Sequence, residues 1–284
     1  MPLLQSRIGV IDTLLWGTGS ACFTLLHASA TGPKSLSGLA AQLSQSGNRR
    51  FIAPGFEGYG RTAMQLGDSD RLTVNLAIAK EVLRSQPSCR RVLFGHSMGG
   101  LIALLTAVNE AQSGRPVDAL ILYEPILVDL FDVRQPAQVE ARDWDRDAVE
   151  RLAHHVRQGD AEAGVRYFVE AWNETSWGDL PGTARQHLID NAENIVSETA
   201  AVSTCKLDRE GLANLSTPTL LLRGSQSPPF VRFVNEAATQ ALGNAVQTVL
   251  PDCGHMGPLL KPAIVVDAIE RFLQTHLTRA EDEN

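Results

Sequence analysis

The sequence predicts an α/β fold with a mostly parallel sheet, and three observations lead there. Short apolar runs alternate with longer amphipathic segments along most of the chain, the arrangement of strands joined by helices. Several of the runs are almost continuously apolar, as parallel strands buried on both faces require. One charge-rich stretch, residues 128–205, breaks the alternation with helical patterns and no convincing strand. That is the profile of a helical insertion laid over a continuous sheet.

Taken in order, Ile8 to Trp16 reads as an early strand or hairpin. Cys22 to Leu26 is a compact apolar strand, and Ser37 to Leu43 is a helix. A strand at Phe51 to Ala53 precedes a helix at Leu72 to Leu83. Val92 to Phe94 is a strand that runs through a glycine-rich turn into a helix at Gly99 to Glu110. The run Ala119 to Tyr123 closes the first half, and the insertion follows it. Strand-like sequence returns at Thr219 to Leu222 and Val246 to Leu250. The last element, Ile264 to Leu277, carries Ile264, Val265, Ala268, Ile269, Phe272 and Leu273 in a helical stripe that should pack on the sheet. The division expected is core over 1–127, helical insertion over 128–205, and core again over 206–284.

The bulk properties narrow the function classes. A chain of 284 residues, 44% hydrophobic and 20% charged, can bury a substantial core. Its net charge of -7 leaves no basic footprint for nucleic acid or an anionic membrane. The N-terminal MPLLQSRIGVIDTLLW has no basic region followed by a sustained apolar stretch, so no signal peptide is expected. No run approaches the roughly 18 apolar residues that span a bilayer. The four cysteines, Cys22, Cys89, Cys205 and Cys253, show no CxxC or metal spacing and are expected as thiols in a reducing, cytoplasmic setting. The terminal AEDEN should be a solvated tail. A small-molecule substrate is the expected partner; no metal or organic cofactor is implied, and the oligomeric state is open.

The chemistry centres on "VLFGHSMGGLIAL". Gly95-His96-Ser97-Met98-Gly99 is a G-x-S-x-G between a strand and a helix. The glycines allow a sharp turn that lifts the Ser97 hydroxyl above the sheet, at the positive end of the helix. A serine hydroxyl needs a base, and His255 in "VLPDCGHMGPL" is the best placed, in a Gly-Pro loop after the last strand. His96 should pack or hydrogen-bond within the turn. His154, His155 and His187 fall in the insertion and His276 on the final helix, and none forms a metal cluster.

The serine turn, the histidine of "PDCGH", the loop "APGFEGYGRT" and the segment "LLHASATG" together resemble the α/β-hydrolase fold family over nearly the whole chain. The resemblance implies a helical cap after the sixth core strand, Ala119 to Tyr123. The family also takes oxyanion donors from the backbone N–H after the nucleophile, here Met98, and from the loop after the strand Cys22 to Leu26, here Ser29. In that loop His27 should act as an anchor, Ala28 replaces a common glycine, and the Ser29 hydroxyl is a possible third donor.

The family's usual acid position, just beyond "TLLLRG", holds Ser225, Gln226 and Ser227, none ionisable. Glu124 offers an alternative. It follows the apolar run Ala119 to Tyr123 at the carboxyl edge of the sheet, where catalytic groups of open α/β sheets collect. Some family members, including one group of haloalkane dehalogenases, place their acid there. A carboxylate capping the segment after Pro125 is the plainer reading of Glu124; Asp252, Asp129 and Asp132 are weaker acids for the role. The resemblance thus implies a Ser97–Glu124–His255 triad acting on a small or medium carboxylic ester, lactone or thioester. Serine in the nucleophile position disfavours dehalogenase and epoxide-hydrolase chemistry. A carbon–carbon bond hydrolase, a cofactor-free perhydrolase, and a small-molecule-binding protein with little turnover are the alternatives. Trp144, Trp172 and Trp177 either line a pocket or hold the insertion to the core.

Overall fold

The computed structural model describes residues 2–86, 90–173 and 175–277. Cys89 and the terminal AEDEN, read above as a thiol and a tail, lie outside the described residues. The chain runs β1 (Leu3–Ser6), β2 (Gly9–Trp16), β3 (Ala21–Leu26), α1 (Ser37–Leu43), β4 (Arg49–Pro54), β5 (Ala63–Met64), α2 (Arg71–Arg84), β6 (Arg90–His96), α3 (Met98–Gln112) and β7 (Ala119–Tyr123). Four helices follow without a strand among the described residues: α4 (Pro136–Arg157), α5 (Ala161–Trp172), α6 (Gly182–Asp190) and α7 (Ala192–Thr204). The chain then completes α8 (Arg209–Ala213), β8 (Thr219–Gly224), α9 (Pro229–Ala241), β9 (Ala245–Leu250), α10 (Gly257–Leu260) and α11 (Pro262–Leu277).

The sheet has the order β1-β2-β4-β3-β6-β7-β8-β9, with β5 pairing to β2. Every pair from β4 to β9 is parallel, while β2 runs antiparallel to β1, β4 and β5. The early strand or hairpin expected at Ile8 to Trp16 is therefore the second strand of a β1–β2 hairpin.

Strand residues alternate between two cores because successive side chains leave opposite faces. Leu93, Leu120, Leu122 and Leu221 join a cluster with residues of α2, α3 and α9. Val92, Phe94, Ile121 and Leu222 join another with α1 and α11. β7 is buried along its whole length, which explains its continuous apolar run. The stripe on α11 buries Val265, Ala268, Ile269, Phe272 and Leu273 against the second cluster. The helices between β7 and β8 hold a third cluster that includes Leu152, Val165, Trp177 and Ile195.

The sheet order places the candidate residues. β3 has β4 on one side and β6 on the other, so the loops leaving β3 and β6 diverge and open a crevice at the carboxyl ends. Leu26 pairs with Gly95, His96 with Tyr123, and Tyr123 with Leu222. These registers bring the ends of four neighbouring strands to one level.

One sequence expectation fails. Cys22 is disulfide-bonded, whereas Cys205 is a free thiol. Parallel pairing sets Cys22 opposite Arg91, at the start of β6. Spacing along the chain gives no sign of a disulfide, and with Cys22 bonded the argument from thiols to a reducing compartment loses its footing.

Candidate active site

The turn from β6 into α3 is a single residue, Ser97, with φ 56° and ψ -120°. A side-chain-bearing residue in such a conformation stores roughly 1–3 kcal/mol of strain that the surroundings must hold. The glycines explain how. A Cβ on Gly95 would lie 2.2 Å from the Gly99 carbonyl oxygen, and one on Gly99 would lie 2.4 Å from the Leu26 oxygen and 2.5 Å from that of His27. The Ser97 N–H is bonded to the Tyr123 carbonyl at 3.0 Å. Ser97 itself is nearly buried and lines a cavity of about 540 Å³.

Glu124 is fully buried and has φ 48°. Its Oε2 lies 2.8 Å from His255 Nδ1. Its Oε1 accepts the Gly224 N–H at 2.7 Å and the Ser227 hydroxyl. The loop whose own positions offer no acid thus binds the Glu124 carboxylate. Sequence reasoning missed this use of Ser227, although the emptiness of that position was its signal.

The loop carrying His255 is fixed from below. Tyr123 donates its hydroxyl to the Gly254 carbonyl at 2.6 Å, and His96 Nε2 lies 2.8 Å from the His255 carbonyl. His96 is fully buried, and desolvation followed by the neighbouring His255 pushes its pKa well down, so it is a neutral ring donating from Nε2. The hydrogen-bond network assigns the His255 proton to Nδ1, which leaves Nε2 as an acceptor. The His255 ring packs 4.7 Å from that of Trp172. Ser97 and His255 line the same cavity, without a hydrogen bond between them among the described residues; such contacts often tighten only with substrate bound.

Ser29 and Met98 border this cavity too, and the Ser29 hydroxyl contacts Met98 Sδ at 3.3 Å. Neither backbone N–H meets a protein acceptor among the described residues. The loop bearing Ser29 is anchored by His27, whose Nδ1 bonds the Ala28 carbonyl at 2.8 Å and whose Nε2 accepts the Phe56 N–H at 3.2 Å. Burial lowers the His27 pKa to about 4, consistent with a neutral anchor.

A second anchor was not foreseen. The Ala30 N–H donates to the Tyr59 hydroxyl at 2.7 Å, which donates to Glu198 Oε2 on α7 at 3.0 Å. Glu198 is buried, and desolvation raises its pKa from 4.5 to about 8. The folded protein therefore keeps a proton that the unfolded chain releases, and the stability of the fold falls as pH rises from about 4.5 to about 8. Replacing Glu198 by glutamine should remove this slope. Urea unfolding should show the variant gaining on the wild type by up to ~4 kcal/mol at pH 8.5 and by little at pH 5. Parallel pH profiles for the two proteins would refute the assignment.

The remaining candidates lie elsewhere. Asp129 binds Lys206 and the Leu207 N–H, Asp132 pairs with Arg134 at the surface, and Asp252 is exposed. Of the three tryptophans, only Trp172 lines the cavity. Trp144 packs at a tilt against Trp172, ring centroids 5.1 Å apart, and Trp177 packs into the third cluster. His187 reaches the cavity wall. Among the described residues there is no group of three or more His, Cys, Asp or Glu suited to a metal, and no helix is long and apolar enough to cross a membrane.

Comparison with known proteins places the fold. No curated protein matches the sequence. A carboxylesterase structure from Nitrososphaera gargenis is similar at TM-score 0.74 and 19% identity, covering 98% of this chain and 100% of that one. An esterase from Exiguobacterium antarcticum gives 0.73 and 20%, over 94% and 96% of the two chains. The epoxide hydrolase CorEH gives 0.72 and 18%, over 96% and 99%. At such identities the likeness establishes the fold, which supports more than one chemistry. The model of the alpha/beta hydrolase family matches residues 17–268, and the chain belongs to that family.

Proposed function

We propose that the protein is a serine hydrolase that cleaves a small or medium carboxylic ester, lactone or thioester through an acyl-enzyme. The observation that carries this reading is the Glu124–His255 hydrogen bond at 2.8 Å, with His255 and Ser97 opening onto one largely apolar cavity. In this reading His255 Nε2 takes the Ser97 proton as Oγ attacks the substrate carbonyl carbon. Glu124 holds the ring in the productive tautomer and stabilises the imidazolium. The N–H groups of Ser29 and Met98 receive the oxygen that becomes negative. The protonated His255 then gives its proton to the departing alcohol or thiol, and water attacks the acyl-enzyme by the same path reversed.

Residues 128–205 would serve as the cap, since Asp145, Val149, Phe168 and Trp172 contribute to the cavity from α4 and α5. The lining favours an ester over the acidic substrate of a carbon–carbon bond hydrolase. No arginine borders the cavity among the described residues, and Lys34 is the one lysine that does.

The test is covalent titration with a fluorophosphonate. One equivalent should attach to Ser97, read by intact mass and peptide mapping, in parallel with hydrolysis of p-nitrophenyl esters. A protein that takes up no label and turns over no ester would sink the reading and favour a binding role.

A further inference from the structure

Helix α4 turns a row of four residues inward: Ala141, Asp145, Ala148 and Leu152. The spacing is that of an apolar stripe, and Asp145 interrupts it. Asp145 is 4% exposed, and what surface it keeps faces the cavity shared with Ser97 and His255. Among the described residues no N–H, hydroxyl or cation reaches its carboxyl group. Burial alone raises its pKa to about 7, with no hydrogen bond or neighbouring charge contributing.

The other buried carboxylates are provided for. Asp12 binds Arg61, Glu110 sits among Arg84, Arg91 and Arg115, Glu124 has the partners given above, and Glu198 has Tyr59. Of the five acidic residues buried among the described residues, Asp145 alone lacks a partner. A buried polar group left unpaired is costly, and one that faces a cavity marks a place where a ligand can supply the partner. The cavity is the one open direction. Its other titratable groups are Lys34, Asp179, His187 and His255, and none bonds Asp145.

We propose that Asp145 is a specificity-determining residue that accepts a hydrogen bond from a hydroxyl or ammonium group on the part of the substrate remote from the cleaved carbonyl. This rests on the hydrolase reading of the site. A carboxyl group has acceptor lone pairs in either protonation state, so both donors are served. A purely alkyl chain leaves the group unpaired, which is how a polar site rejects an isostere lacking the donor.

The test compares p-nitrophenyl heptanoate with p-nitrophenyl 6-hydroxyhexanoate and 6-ammoniohexanoate, three chains of equal length that differ at the tip. Wild type should show kcat/KM at least tenfold higher for one or both donor-tipped esters than for heptanoate. Asp145→Leu should abolish that preference while leaving heptanoate cleavage equal or faster. Asp145→Asn separates the donors: a hydroxyl preference survives it, and an ammonium preference does not. Thermal melting guards against misfolding, and Asp145→Leu should melt no lower than wild type. Equal preference for heptanoate in wild type and Asp145→Leu would overturn the proposal, as would a lower melting point with all three esters slowed alike. If wild type cleaves none of the esters, the hydrolase reading fails by itself. Calorimetric titration with 1-hexanol and hexylamine then decides on Asp145: at least tenfold weaker binding to the leucine variant supports it, and unchanged binding overturns it.

Discussion

Replacing Glu124 by glutamine should lower kcat for ester hydrolysis by about 10³- to 10⁴-fold and leave KM within a few-fold. The reasoning follows from how the two carboxylate oxygens are occupied. Oε1 is tied to the Gly224 N–H and the Ser227 hydroxyl, so in the variant this position keeps the amide oxygen. The amide NH₂ is then presented to His255 Nδ1, which must become the acceptor. The imidazole proton moves to Nε2, and the nitrogen facing the cavity can no longer take the proton of Ser97. Shape and substrate binding are retained while the base is lost. Ser97→Ala should be still more damaging, ~10⁴- to 10⁶-fold, because it removes the bond-forming atom. A loss below tenfold in Glu124→Gln would take Glu124 out of the reaction.

Gly99→Ala should destabilise the fold by at least ~3 kcal/mol, since overpacking against atoms that cannot rotate away falls at the severe end of single substitutions. The new methyl would meet two backbone carbonyl oxygens, those of Leu26 and His27, at 2.4 and 2.5 Å. Either the end of β3 or the start of α3 must move. His27 leads directly into Ala28 and Ser29, so the shift should also carry the Ser29 N–H out of line. Gly178→Ala is the control, because an added Cβ there meets nothing within 4 Å. Its melting point should be that of wild type. A Gly99→Ala protein that melts like the control would show that the turn has more room than its carbonyls suggest.

Much of this molecule was legible in the chain because the signals are local. β7 is one apolar run, predicted with the bounds observed. The G-x-S-x-G turn announces itself because three close backbone approaches exclude side chains within five residues. Glu124 stands out by position, at a strand end beside a loop without an acid, and the fold brings it to His255. What stayed hidden depends on tertiary contact. Ser227 and Gly224 stand about a hundred positions from the carboxylate they hold. The Cys22 disulfide has no counterpart in the spacing of the cysteines, and the Tyr59–Glu198 contact joins a core loop to α7. Asp145 left a faint trace, as a charge in the apolar row of α4. Charges also stand on the solvent side of the same helix, and only burial distinguishes the two.

The division of labour within the Glu124 carboxylate bears on how such a site can change by mutation. One oxygen faces the histidine and the other faces the loop after β8. Moving the acid into that loop, by placing a carboxylate at Ser227, would set two negative groups against each other in a dry pocket unless Glu124 were neutralised at the same time. Each substitution alone is harmful, and only the pair restores a single charge beside His255. On the hydrolase reading the two acid positions would be alternatives separated by a fitness valley, with Ser227, small and neutral, keeping this chain on one side of it.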